Sequence, residues 1–197
     1  MIFDLHVHSN HSSCSNLRID DIVSSAQYRG LDGVCITDHN TMDIRREITE
    51  GIQKNGLCVL IGMEYDTPDG DFLLFGSFED LQPGLDAGEL LRIVEVRKGV
   101  AIGAHPCREE RNLNEGLLEK GSCCIIEGMN GRNSEGENRN VKLLTERYIL
   151  FQCGGSDAHH LEELGCTATF FPETISNRRE LISTLKKGDY RPICMRE

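Results

Sequence analysis

The sequence has no apolar stretch approaching the roughly 20 residues that a membrane span requires. It also has no basic segment ahead of an apolar run at its start, Met1-Ile2-Phe3-Asp4. Export and membrane insertion are therefore not expected, and the chain reads as cytoplasmic with no membrane partner. Positive charge is scarce as well. Against 32 acidic residues stand 21 lysines and arginines, a formal net charge of -11. Because binding to a nucleic-acid backbone depends on Lys and Arg displacing counterions, duplex nucleic acid is not expected as a partner. Carboxylates gathered around divalent cations would account for part of the acidic excess.

No Cys-x-x-Cys pair occurs among the nine cysteines, which argues against a zinc ribbon or a thioredoxin-type redox centre. Their number is odd, and Cys35, Cys58, Cys124 and Cys153 lie within apolar runs. They read as buried thiols in a reducing compartment rather than as a disulfide framework. Nor does a linker or low-complexity segment divide the chain, so residues 1–197 are expected to form a single domain. Hydrophobic residues at 39% and charged residues at 27% suffice for an ordinary packed core.

What is present is an alternation of strand-length apolar runs with stretches of helical period. Met1 to Val7 reads as a strand, followed by Ile19, Ile22, Val23 and Ala26 at helical spacing up to Gly30. The unit repeats with a strand Leu31 to Thr37, a helix carrying Ile44, Ile48 and Ile52, and a strand Leu57 to Met63. The turn Thr67-Pro68-Asp69-Gly70 introduces one short hairpin strand, Phe72 to Phe75. Further strands are expected at Val100 to Ala104, Cys123 to Glu127, Tyr148 to Cys153 and Ala168 to Phe171. Helices are expected near Ala87 to Lys98, Leu113 to Lys120, up to about Arg147, and Arg178 to Lys187. Such repetition implies a mainly parallel sheet, open or closed into a barrel.

All seven histidines fall in four short clusters after or at the ends of predicted strands. Strand C-termini of a parallel sheet share one face, so groups remote in sequence converge there. In Asp4-Leu5-His6-Val7-His8-Ser9 the two imidazoles, two residues apart, point the same way while Leu5 and Val7 face the opposite layer. Thr37-Asp38-His39-Asn40 follows the second strand; an Asx turn would explain Asp38 or Asn40 but not His39. Glu64 ends the third, where an acid is either solvated or able to bridge two cations. In Gly103-Ala104-His105-Pro106 the proline is expected to hold His105 extended. Ser156-Asp157-Ala158-His159-His160 supplies a carboxylate and an imidazole on a common side.

In this order the motifs resemble the polymerase and histidinol phosphatase (PHP) family over residues 4 to 159. The resemblance implies a distorted (β/α)7 TIM-like barrel with two or three divalent metals (zinc, manganese or iron) at the strand C-termini, and hydrolysis of phosphate esters. By motif, His6 and His8 would hold one metal with Asp157, and Glu64 would bridge it to a second that takes His105. His39 and His159 would serve a third position. Relatives complete that position with a His or Asp soon after the His-x-His pair, where this chain reads His11-Ser12-Ser13-Cys14. Cys14 is the expected stand-in, with His11 as rival, and a thiolate would favour zinc. Asn130 falls near a further ligand position of some relatives.

Imidazole and carboxylate ligands of this kind suit a metal-activated hydroxide attacking phosphorus, with no protein nucleophile. Asp38, His39, Arg108 and Arg132 are the catalytic candidates. Asp38 would orient an imidazole or move a proton, and Arg108, Arg111 and Arg132 would meet a small phosphorylated metabolite or nucleotide. Two alternatives stand beside this: an amidohydrolase-type metal enzyme, and a non-catalytic metal-binding regulatory module.

Overall fold

The computed structural model describes residues 1–195. Its strands are β1 (Ile2–Val7), β2 (Gly33–Ile36), β3 (Gly51–Ile52), β4 (Cys58–Ile61), β5 (Met63–Thr67), β6 (Gly70–Phe75), β7 (Val100–Gly103), β8 (Ile125–Asn130), β9 (Phe151–Gly155), β10 (Thr167–Phe170) and β11 (Arg191–Cys194). The helices are α1 (Ile19–Ala26), α2 (Ala87–Val96), α3 (Glu115–Glu119), α4 (Glu135–Arg147) and α5 (Arg178–Lys187). Capping explains several starts: Asp86, Asn114 and Asn177 accept backbone N–H bonds, and Ser134 with Glu137 forms a reciprocal capping box.

The strands form two mixed sheets, ordered β11-β10-β1-β2-β4-β3 and β5-β6-β7-β8-β9. Between the named strands, parallel pairing is confined to β1–β2–β4 and β7–β8–β9. The pairs β1–β10, β10–β11, β3–β4, β5–β6 and β6–β7 are antiparallel. The expected mainly parallel (β/α)7 barrel is therefore corrected: among the described residues the sheets do not close into a continuous barrel. They meet at isolated bridges, Val7 with Ala158 and His39 with Glu64. The reason is local. Parallel neighbours need a crossover of a dozen or more residues, but β4 passes into β5 through Gly62 alone and β5 turns back into β6. The helix expected around Ile44, Ile48 and Ile52 is a 3-10 turn, Asp43–Arg46, followed by β3; only Ile44 of the three is buried, and Ile52 is exposed.

Alternation along the strands divides the core in two. Phe3, Leu5, Cys35, Leu60, Leu73, Phe75 and Ile102 pack with Leu181 and Leu185 of α5. Val34, Ile36, Val59, Phe72 and Leu74 pack outward under α1, α2 and α4. Leu5 and Val7 do not share a face as expected: they belong to different clusters, because the register of β1 against β2 shifts between Asp4 and Val7.

Candidate metal centre

His6, His8, His39, Glu64, His105, Asp157 and His159 gather at the end where the two sheets meet. Three groups form there: His6 with His8 and Asp157, Glu64 with Asp71 and His105, and His8 with Cys14, His39 and His159. Within each, the potential ligand atoms lie within 4.8 Å of one another. Cys14 is exposed and belongs to the third group, whereas its rival His11 turns away to Glu47 at 2.7 Å.

Hydrogen bonding fixes where the imidazole lone pairs point. His6 Nδ1 donates to Glu127 Oε1 at 2.9 Å, which leaves Nε2 bare. Ser12 Oγ donates to Asp38 Oδ1 at 2.7 Å and accepts from the His39 amide at 3.0 Å. It is then free to accept from His8 Nδ1 at 3.3 Å, so His8 Nε2 is also bare. These two nitrogens face each other at 3.0 Å. Glu64 Oε2 lies 3.4 and 3.2 Å from them, and Asp157 Oδ1 3.5 and 3.3 Å. Four acceptors crowded without a donor demand positive charge between them. Burial opposes a proton on His6, yet Asp157, Glu127 and Glu64 outweigh it and hold its pKa well above the ordinary imidazole value. The field that draws a proton there draws a divalent cation more strongly. Near the same place His39 Nδ1, Asp71 Oδ2 and His105 Nδ1 are buried without a hydrogen-bond partner. The donor set therefore fits divalent metals.

Glu64 touches all three groups, reaching His105 Nε2 at 2.9 Å and His39 Nδ1 at 3.1 Å as well as the His6–His8 pair. Burial works against its ionisation, but the charge on His6 and the bonds from His105, His6 and His8 hold its carboxyl well below the usual range. Asp157 is likewise held down, against burial, by His6 and His8. His159 goes the other way: burial and the neighbouring His8 lower it to about 4, so it is neutral at pH 7.

The backbone is bent to deliver these side chains. His105 has φ +30° and Asp157 φ +57°, both in the left-handed region. His105 is thus not held extended by Pro106; its N–H instead donates to Glu127 Oε2 at 2.8 Å, which swings the ring inward. Left-handed backbone at non-glycine residues is strained and persists where surrounding bonds over-determine it. Gly155 admits the close approach of β9 to β1: a Cβ there would stand 2.5 Å from His6 Cβ and 2.9 Å from Glu127 Oε1.

The remaining candidates sit around this cluster. Asp38 is buried and touches no imidazole; it accepts from Ser9 N, Ser9 Oγ and Ser12 Oγ at 2.6 to 2.7 Å, and so acts on His8 through Ser12. Asn130 does not aim at the imidazoles. Its Nδ2 donates to Glu127 Oε2 at 2.9 Å, while its Oδ1 accepts from Arg108 and the Arg132 amide. Arg108 Nη2 pairs with Asp157 Oδ2 at 2.8 Å. Arg111 holds Asp66 and Asp71, and Arg132 Nη1 lies 2.9 Å from His159 Nδ1. Sequence reasoning missed Glu127 and Asp71. A signal existed for both: each is an acid within or ending an otherwise apolar strand, as Glu64 is.

Comparison with known proteins places the chain further. The model of the PHP domain matches residues 4–149, and that of a PHP-associated segment residues 135–190. An uncharacterized protein of Methanocaldococcus jannaschii is 31% identical over 113 residues, 52% of this chain and 66% of that protein. Among solved structures, a two-domain protein of Bacteroides vulgatus containing a predicted PHP-like metal-dependent phosphoesterase superposes with TM-score 0.68 at 16% identity, over 98% of this chain and 64% of that one. Endonuclease Q in complex with a 27-mer duplex carrying an abasic lesion at its active site superposes with TM-score 0.72 at 18% identity, over 97% of this chain and 58% of that one. The match therefore spans less than two thirds of each of these proteins, and at the last two identities the likeness is one of fold. The Endonuclease Q complex corrects the exclusion of duplex nucleic acid. Formal net charge sums the whole surface, whereas contact with a duplex is decided locally, and the cations such a centre fits would offset its carboxylates.

Proposed function

The chain belongs to the PHP domain family, and from that premise we propose that it is a metal-dependent phosphoesterase acting on a small phosphorylated metabolite or nucleotide. The observation that carries the reading is the facing pair of bare nitrogens on His6 and His8 inside a ring of carboxylates. His6, His8 and Asp157 would hold one ion, Glu64 and His105 a second, and His39, His159 and Cys14 a third, drawn from zinc, manganese or iron. Such ions lower the pKa of coordinated water from about 15.7 towards 7 and offset charge on phosphoryl oxygens. The chain's own groups do the rest. Glu127 fixes the His6 tautomer, Asp38 acts through Ser12 on His8, and Arg132 at the rim presents a guanidinium to a phosphate. Arg108, spent on Asp157, Asn130 and Asn133, holds the ligand carboxylate rather than the substrate. The buried thiols of Cys35, Cys58, Cys123 and Cys153 suit a cytoplasmic location.

The test is elemental analysis combined with a panel of phosphomonoesters, phosphodiesters, an abasic duplex and amides, each with added Mn2+ or Zn2+. Turnover of a small ester that vanishes on chelation is expected. Amide turnover, or none, overturns the reading, and turnover of the duplex alone overturns the choice of substrate.

A further inference from the structure

Asp71 lies in β6, a fully buried strand of otherwise apolar residues and glycine, Gly70-Asp71-Phe72-Leu73-Leu74-Phe75. Its side chain is 2% exposed, and a buried carboxylate in such a strand needs a compensating charge. Across the hairpin it pairs with Asp66, a like charge on the same face, which by itself opposes the β5–β6 pairing. Arg111 answers part of this. Its Nη2 donates to Asp66 Oδ1 at 2.9 Å and Asp71 Oδ1 at 3.0 Å. One guanidinium serves both Asp66 and Asp71, with Glu64 nearby. Asp71 Oδ2 has Arg111 Nε at 2.7 Å but off the hydrogen-bond direction, so it accepts no hydrogen bond. That oxygen faces His105 Nε2 at 3.7 Å, which is itself 2.9 Å from Glu64 Oε1.

We infer that Asp71 is a ligand of the second cation, completing with Glu64 and His105 a site that takes a harder ion, manganese(II) class, than the site bearing Cys14. Two carboxylates and one imidazole form an oxygen-rich set suited to Mn2+, whereas three imidazoles and a thiol form a soft set suited to Zn2+. The centre is graded across a few ångströms, and Arg111 keeps Asp71 from turning out to solvent. This rests on the metal-dependent reading above and extends it to a residue which that reading left out.

The test reads metal content rather than turnover. The apo-chain is dialysed against Mn2+ and, separately, against Zn2+, with stoichiometry from elemental analysis and Mn2+ affinity from its paramagnetic resonance signal. Asp71→Asn is expected to lose one equivalent of Mn2+, its Kd rising by about tenfold or more, while the Zn2+ taken up by the Cys14 group is unchanged. Asp66→Asn, which removes the other anchor of Arg111, is expected to keep the Mn2+. Unchanged Mn2+ binding in Asp71→Asn, or equal loss in both variants, overturns the assignment and leaves Asp71 as a holder of Arg111. If Asp71→Asn loses its native circular dichroism, the wild type carries the test: dialysed against both ions together it is expected to retain both, and zinc alone in every site overturns the hard-site assignment. A wild type that binds no ion overturns the metal-dependent reading itself, a separate outcome.

Discussion

Two parts of the centre, the His6–His8–Asp157 group and the Cys14–His39–His159 group, share His8 yet differ in almost every physical respect. The first is sealed: its three side chains are at most 2% exposed, and each imidazole is oriented by a buried partner, Glu127 or Ser12. The second opens to solvent through Cys14 and through His39, whose side chain is 27% exposed. In the first, carboxylates hold the His6 pKa up; in the second, burial and His8 hold His159 down to about 4. Closed sites with fixed ligands hold an ion, and sites with an open position admit water and substrate. The difference teaches that tenure of an ion and access to it would be divided between neighbouring groups.

The most severe way to break this division is to remove Glu64, the carboxylate that reaches both groups through His6, His8 and His39. Glu64→Gln is expected to abolish turnover and empty the centre while circular dichroism stays native; an active, metal-poor variant would contradict the bridging role. Next comes the sealed group alone. Glu127→Gln frees the His6 tautomer and is expected to weaken its ion by about 10–100-fold, read by calorimetric titration, with the open group unaffected. A fall in both groups alike would mean that the division is not real. Gly155→Ala drives a methyl against His6 and Glu127, and overpacking of this kind costs about 1–3 kcal/mol in chemical denaturation. Cys14→Ser is expected to remove one zinc and no other ion. Smallest is Arg132→Ala, expected to raise KM for a phosphate ester several-fold with little change in kcat, since it removes a rim contact about as strong as one charge-assisted hydrogen bond.

The sequence revealed the sealed group better than its surroundings, for a chemical reason. Imidazoles recurring at strand ends are rare and mutually reinforcing, so His6, His8, His39, His105 and His159 stood out together. Acids after apolar runs are common, and nothing in Glu127 or Asp71 taken alone separates a buried partner from a solvated strand end. Helices α1, α2, α4 and α5 were legible from period and caps. Strand direction was not. Thr167–Phe170 reads the same in either orientation, and only its docking beside Ile2 and Phe3 makes it antiparallel. Nor could spacing reveal that Ile44, Ile48 and Ile52 would bury one side chain rather than three.

The two isolated bridges between the sheets, Val7 with Ala158 and His39 with Glu64, flank the residues of the candidate metal centre. Each bridge is a weak clasp, and beside each sit ligand candidates drawn from both sheets: His6, His8 and His39 from one, Glu64 and Asp157 from the other. An ion gripped from both sides would work as a rivet through the seam. Metal binding would then stabilise the folded chain with the logarithm of free metal over Kd, adding to the apolar core that the two sheets already share.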